Sequence, residues 1–165
     1  MRGYDLAYWE PFFSAIIAAA AALTGLLFVA VSINLDRIVK GGKSLPARAA
    51  ETLAILLLVL VSCALPLVPQ SIRLVGVEIL IIVVPMLAIT VRNQLRQRRQ
   101  NPDDPVLWTI SRMTSTALAT VPCTLAGLSL TARWGGGLYW LVPTALLGIA
   151  GAVYNAWVLL VEIVR

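Results

Sequence analysis

The chain has 165 residues, 59% of them hydrophobic and only 13% charged, whereas a soluble domain averages about a quarter charged. Together with a mean hydropathy of +0.87, this excludes an ordinary soluble domain and points to an integral membrane protein with little mass outside the bilayer. The net charge is +5 and histidine is absent, which removes the commonest general base, the usual haem ligand and most zinc sites.

A spanning helix needs about 20 mostly apolar residues, and five segments qualify. The first, 11–35, contains "AIIAAAAALTGLLFVAVSIN" and is uninterrupted by charge. It is too long, and its leading flank too weakly basic, for a cleavable signal peptide. At about 100° per residue, Ser14, Ala18, Ala21, Gly25 and Ser32 fall on one stripe, with Phe28 as a bulky intruder and Ile16, Leu23 and Leu27 opposite. Small residues allow helices to approach closely where lipid gives no hydrophobic drive for association. The stripe is a candidate helix-contact face, either for packing within the chain or for a subunit interface or pore wall.

The second segment, 51–69, lies between Glu51 and Gln70 and contains Cys63. That cysteine and Cys123 both fall inside apolar runs, where they act as small apolar residues and give no disulfide framework. A tight turn, "VPQS", leads into the third segment, 71–92, which carries the acid Glu78 about two turns from its start. A carboxylate there is costly unless protonated, paired or hydrated. It is a candidate intramembrane polar site, read either as an ion- or proton-binding group facing a cavity or as an acid bonded to a neighbouring helix. Arg73, five residues away, is poorly placed to pair with it on a helix. Pro85 lies on the same face and frees the carbonyl of Ile81, which would suit a hydrated vestibule. Beyond this run, "RNQLRQRR" forms a basic juxtamembrane stretch, with Arg96, Arg98 and Arg99 as candidate contacts for anionic lipid headgroups. No aromatic interleaving accompanies it, so nucleic acid is not expected as a partner.

In the loop that follows, Asp104 suits a helix cap and Pro105 a first helical turn. The fourth segment, 108–132, is rich in Thr and Ser. It suits a helix surrounded by other helices, and four spans with this one lying at the interface is the alternative. After the turn "RWGGG" comes the fifth segment, 137–164. Thr144, Gly148, Gly151, Asn155 and Glu162 share one side of it. Gly148 and Gly151 extend the candidate helix-contact faces, and Asn155 needs protein or water around its amide. Arg112 enters the membrane near the same end as Glu162, which makes Arg112–Glu162 a candidate ion pair, against the alternative that each snorkels to headgroups alone.

The predicted fold is all-α: a polytopic transmembrane helical bundle of about five spans in one domain. Barrel strands would alternate in polarity, and none do. No internal repeat supports an inverted-repeat transporter. In a five-span arrangement, ten basic residues lie on the side of the first and third loops and three, Arg2, Arg73 and Arg133, on the other. The positive-inside rule then places the N-terminus outside and the C-terminus in the cytoplasm. Aromatic residues cluster at the expected edges, Tyr4, Tyr8, Trp9, Phe12 and Phe13 at the outer end of the first segment, Trp134, Tyr139 and Trp140 at the outer end of the fifth, and Trp108 at the inner end of the fourth.

No paired intramembrane aspartates, CxxC, phosphate loop or GxSxG is present, and a Cys or Ser nucleophile has no evident base, so no enzymatic activity and no cofactor is expected. The expected role is a small membrane protein that self-associates through its small-residue faces and forms an ion or small-solute pathway. The alternative is a non-conducting accessory or regulatory subunit packed against a larger membrane protein. The stretch "AAAALTGLLFVAVSINLDRI", followed by short-looped spans, resembles a group of small, uncharacterised bacterial integral membrane proteins, and the resemblance implies a bacterial cytoplasmic membrane.

Overall fold

A computed structural model describes residues 2–40, 44–100 and 106–164. Among them the regular structure is helical: α1 (Leu6–Ile33), α2 (Leu35–Lys40), α3 (Ser44–Ala64), α4 (Ile72–Gln100), α5 (Val106–Ala132) and α6 (Leu141–Val164), with short 3-10 turns at Arg2–Tyr4, Leu65–Leu67 and Gly137–Trp140. Five helices are long and apolar enough to cross a membrane, at 6–33, 45–67, 72–99, 110–132 and 137–159. All five expected segments are therefore helical, including the Thr/Ser-rich fourth. The expected cap at Asp104 and first-turn Pro105 lie outside the described residues.

Local chemistry accounts for the breaks. Pro46 and Pro143 sit in the first turns of α3 and α6, where a proline forfeits no intrahelical hydrogen bond. Pro66 heads the 3-10 turn that ends α3. Asn34 closes α1 by donating its side-chain amide to the carbonyl of Ala30 at 2.9 Å. Between α5 and α6 the chain reverses through Arg133, Gly135, Gly136 and Gly137, all with positive φ. Ser129 holds this turn: its hydroxyl donates to the Trp134 carbonyl and accepts from the Gly137 amide.

The packing order is α1 on α3, α3 on α6, α6 on α5 and α5 on α4. At the end bearing the glycine turn, the core is large and apolar: Phe13, Leu58, Val59, Val75, Ile79, Leu130, Leu138 and Leu141 are buried together with both cysteines. Trp9 is buried there as well, stacked on Phe13 at a ring-centroid distance of 5.9 Å and meeting the edge of Tyr139 at 4.7 Å. The headgroup-belt position expected for Trp9 and Phe13 is thus a core position, because the turn before α6 folds over them. Trp134 and Tyr139 remain exposed. Towards the opposite end, which carries Arg92, Arg96, Arg98 and Arg99 of α4, the apolar core shrinks to a smaller group around Leu27, Ile55, Leu56, Ala119 and Ala152.

Candidate functional site

Where the apolar core thins, polar side chains fill the interior. Arg48 and Thr52 of α3, Gln94 of α4, Ser115 and Thr116 of α5, and Asn155 of α6 are all buried. Glu51 on α3 and Arg112 on α5 stand among them, each with only 12% of its side chain exposed. The Arg112 guanidinium is engaged through all three nitrogens. Nε donates to Glu51 Oε2 at 2.9 Å, Nη2 to Glu51 Oε1 at 2.5 Å, and Nη1 to Gln97 Oε1 at 2.7 Å. This bidentate fork is the geometry in which an arginine–carboxylate pair is strongest. One turn from Gln97, Gln94 donates to the Thr116 hydroxyl at 3.1 Å, and Thr116 lies one turn from Arg112. Two polar rungs thereby lock α4 to α5, and the ion pair extends the lock to α3.

The described partner of Arg112 is therefore Glu51, not the Glu162 expected from sequence; the Glu162 side chain lies outside the described residues. In the sequence Glu51 stands at the edge of the second apolar run. Its position three residues after Arg48, in the first turns of a spanning helix, was the available sign that it belongs inside. The hydroxyls nearby bond back to their own helices: Thr52 to the Arg48 carbonyl, Ser115 to Ser111 and Thr120 to Thr116. Such bonds satisfy a hydroxyl without a neighbour. Two amide oxygens, Gln94 Oε1 and Asn155 Oδ1, are buried with no hydrogen-bond partner.

Asn155 reaches this region through α6. A Cβ on Gly148 would lie 2.6 Å from Val59, and one on Gly151 would lie 3.6 Å from Ser115 Cβ. The Gly148–Gly151 face thus packs against α3 and α5, and Asn155 follows one turn further along it. A close backbone approach also joins α4 to α5. A Cβ on Gly76 of α4 would come within 2.8 Å of the Gly127 carbonyl on α5, and one on Gly127 within 2.7 Å of Leu80.

The stripe on α1 behaves in the opposite way. Ser14, Ala18, Ala21, Gly25 and Ser32 are all exposed, and a Cβ on Gly25 would meet nothing within 4 Å. Packing within the chain is not what this face does: α1 seats Phe13, Ala20 and Leu27 inward instead.

Glu78 sits at the other end of the bundle, half-buried, and accepts a hydrogen bond from Gln70 Nε2 at 2.7 Å. Gln70 belongs to the turn before α4 and also donates to the Leu65 carbonyl. The acid is thus held by the preceding turn, and Arg73 points outward. Pro85 and Ile81 lie on the exposed face of α4, so the face expected to line a vestibule looks away from the bundle. Arg96, Arg98 and Arg99 are exposed at the end of α4. No family model, curated protein or solved structure matches this chain.

Proposed function

We propose that this chain is a non-enzymatic integral membrane subunit, with its N-terminus outside and its C-terminus in the cytoplasm of a bacterial cell, that self-associates along the exposed face of α1. The observation that carries this reading is the outward placement of Ser14, Ala18, Ala21, Gly25 and Ser32. A smooth face of small residues gives little dispersion contact to lipid and allows close contact to a helix. The Ser32 hydroxyl bonds to the Phe28 carbonyl on its own helix, so the face brings few polar demands to a partner. In such an assembly an ion or small-solute pathway would run between copies. Within one chain, Glu78 is bonded to Gln70, and Arg112 to Glu51 and Gln97.

The second reading, an accessory subunit on a larger membrane protein, is favoured by Phe28. It projects from the stripe 63% exposed, a knob that suits a complementary hole better than its own copy. Mass measurement on the full chain extracted in mild detergent separates the two. Assemblies of two or more identical chains support self-association, and vesicle flux from that verified assembly supports the pathway. A single chain retained on a larger membrane protein supports the accessory reading. A lone monomer with no partner overturns both.

A further inference from the structure

The last four turns of α4, from Leu87 on, combine a groove with a gradient. A groove of about 610 Å³ runs along this helix. It is lined by Leu87, Ala88 and Val91 at its inner end and by Arg92, Leu95, Arg96 and Arg99 beyond them along the helix. At about 1.5 Å per residue, the stretch from Leu87 to Arg99 is about 18 Å long, close to the roughly 15 Å of hydrocarbon in one leaflet. The arginines recur at i, i+4 and i+7, on one stripe within about 10 Å of rise. Arg98, between them in sequence, does not line the groove. Among the described residues no carboxylate pairs with Arg92, Arg96 or Arg99.

We propose that this groove is a binding site for one anionic phospholipid, its phosphate held among Arg92, Arg96 and Arg99 and an acyl chain lying along Leu87, Ala88, Val91 and Leu95. The guanidinium fork matches phosphate geometry, and it is less strongly hydrated than an ammonium, so it gives up water for phosphate readily. The apolar inner end continues a membrane-crossing helix, where a lipid chain is the resident solvent. A second copy of the chain is disfavoured as occupant, because the same three positive charges would face each other. A zwitterionic choline headgroup would bring its own cation against the arginines.

The test uses the full chain in micelles, read by native mass spectrometry after addition of phosphatidylglycerol or phosphatidylcholine of equal acyl length. The wild-type chain is expected to retain one phosphatidylglycerol under activation that strips phosphatidylcholine. Neutralising an arginine of the groove weakens retention by roughly fivefold, and R92Q/R96Q/R99Q by roughly a hundredfold. R98Q removes no side chain that lines the groove and so no direct phosphate contact, and it stays within about twofold. Ala88→Phe, which fills the inner groove and leaves the arginines intact, also lowers retention. Equal retention of both lipids by the wild-type chain overturns the proposal, and that comparison needs no variant. Equal loss in R98Q reduces the effect to diffuse charge and overturns the site. Unchanged retention in Ala88→Phe, or displacement of the lipid by millimolar inorganic phosphate, overturns the acyl seat.

Discussion

α1 and α6 both carry a stripe of small residues, and the bundle turns one inward and the other outward. On α6 the bulky side chains Leu146, Val153, Tyr154 and Trp157 are exposed, while Thr144, Ala145, Ala152 and Asn155 are buried. Large groups facing lipid cost nothing, and small groups facing protein let α6 come close to α3 and α5. α1 reverses the arrangement: Trp9, Phe13, Ala20 and Leu27 are its buried residues, and the small stripe is left outside. Burial follows the same division. Only 11% of the apolar window of α1 is buried, against 33% for that of α6. Small residues therefore mark a contact face within the chain on α6 alone, while on α1 the chain's own contacts are made by Trp9, Phe13, Ala20 and Leu27.

If that division is correct, the interior should be intolerant where α1 is tolerant. The largest effect is expected at Glu51. Glu51→Ala leaves Arg112 buried with only Gln97 as partner, and removal of one member of a buried pair costs about 3–5 kcal/mol. Unfolding in mixed micelles, followed by tryptophan fluorescence, measures this loss. The swapped pair E51R/R112E should recover part of it. Glu162→Ala, in contrast, is expected to stay within about 1 kcal/mol. A cost at Glu162 with none at Glu51 would restore the pairing that the sequence suggested and remove Glu51 from its place in the lock.

A smaller cost is expected at the interior glycines. Gly148→Leu drives a side chain into Val59 and Ile55, and Gly76→Leu drives one against the Gly127 carbonyl and Thr131. Overpacking of this kind costs about 1–3 kcal/mol. The same unfolding measurement reads it, and Gly76→Leu should be the worse of the two because backbone, which cannot rotate aside, stands in its way. A loss at Gly148→Leu no greater than at an α1 position would erase the contrast between the two stripes.

Much of the fold was legible because the membrane imposes one length scale. Twenty apolar residues make a span, and five such runs became five helices, with α4 prolonged by its basic tail. The Thr/Ser-rich fourth run was legible for a related reason: Thr116, Thr120 and Thr124 suit only a helix wrapped by others, and α5 is the most buried of the five. Pairings were far less legible. Arg112 meets Glu51, 61 residues earlier, and Gln97 across the preceding loop, and no local spacing encodes either contact. Glu78 drew notice as a lone acid, yet Gln70 holds it from a turn, eight residues away and outside any helical period. Helical periodicity shows which residues share a face. It does not show which face another helix will choose, and the α1 stripe is where that gap appears.

The smallest effect on the fold, and the sharpest test of the comparison, is expected at Gly25. Its Cβ position is open, so Gly25→Leu introduces no clash within the chain. Leucine also exceeds glycine in helix propensity by roughly 0.5–1 kcal/mol, so the isolated chain should be unchanged or slightly more stable. Association is expected to respond in the opposite sense, because a leucine in the middle of the stripe holds two helices apart where a glycine lets them touch. Energy transfer between donor- and acceptor-labelled chains in vesicles, measured against dilution with lipid, reads this directly. Gly25→Leu should lower transfer at every dilution while the unfolding curve stays in place. Ile33→Ala, at a highly exposed position just off the stripe, should leave transfer near the wild-type level. If instead Gly25→Leu transfers as well as wild type, the outward stripe is no contact surface, and the likeness between α1 and α6 is one of composition alone.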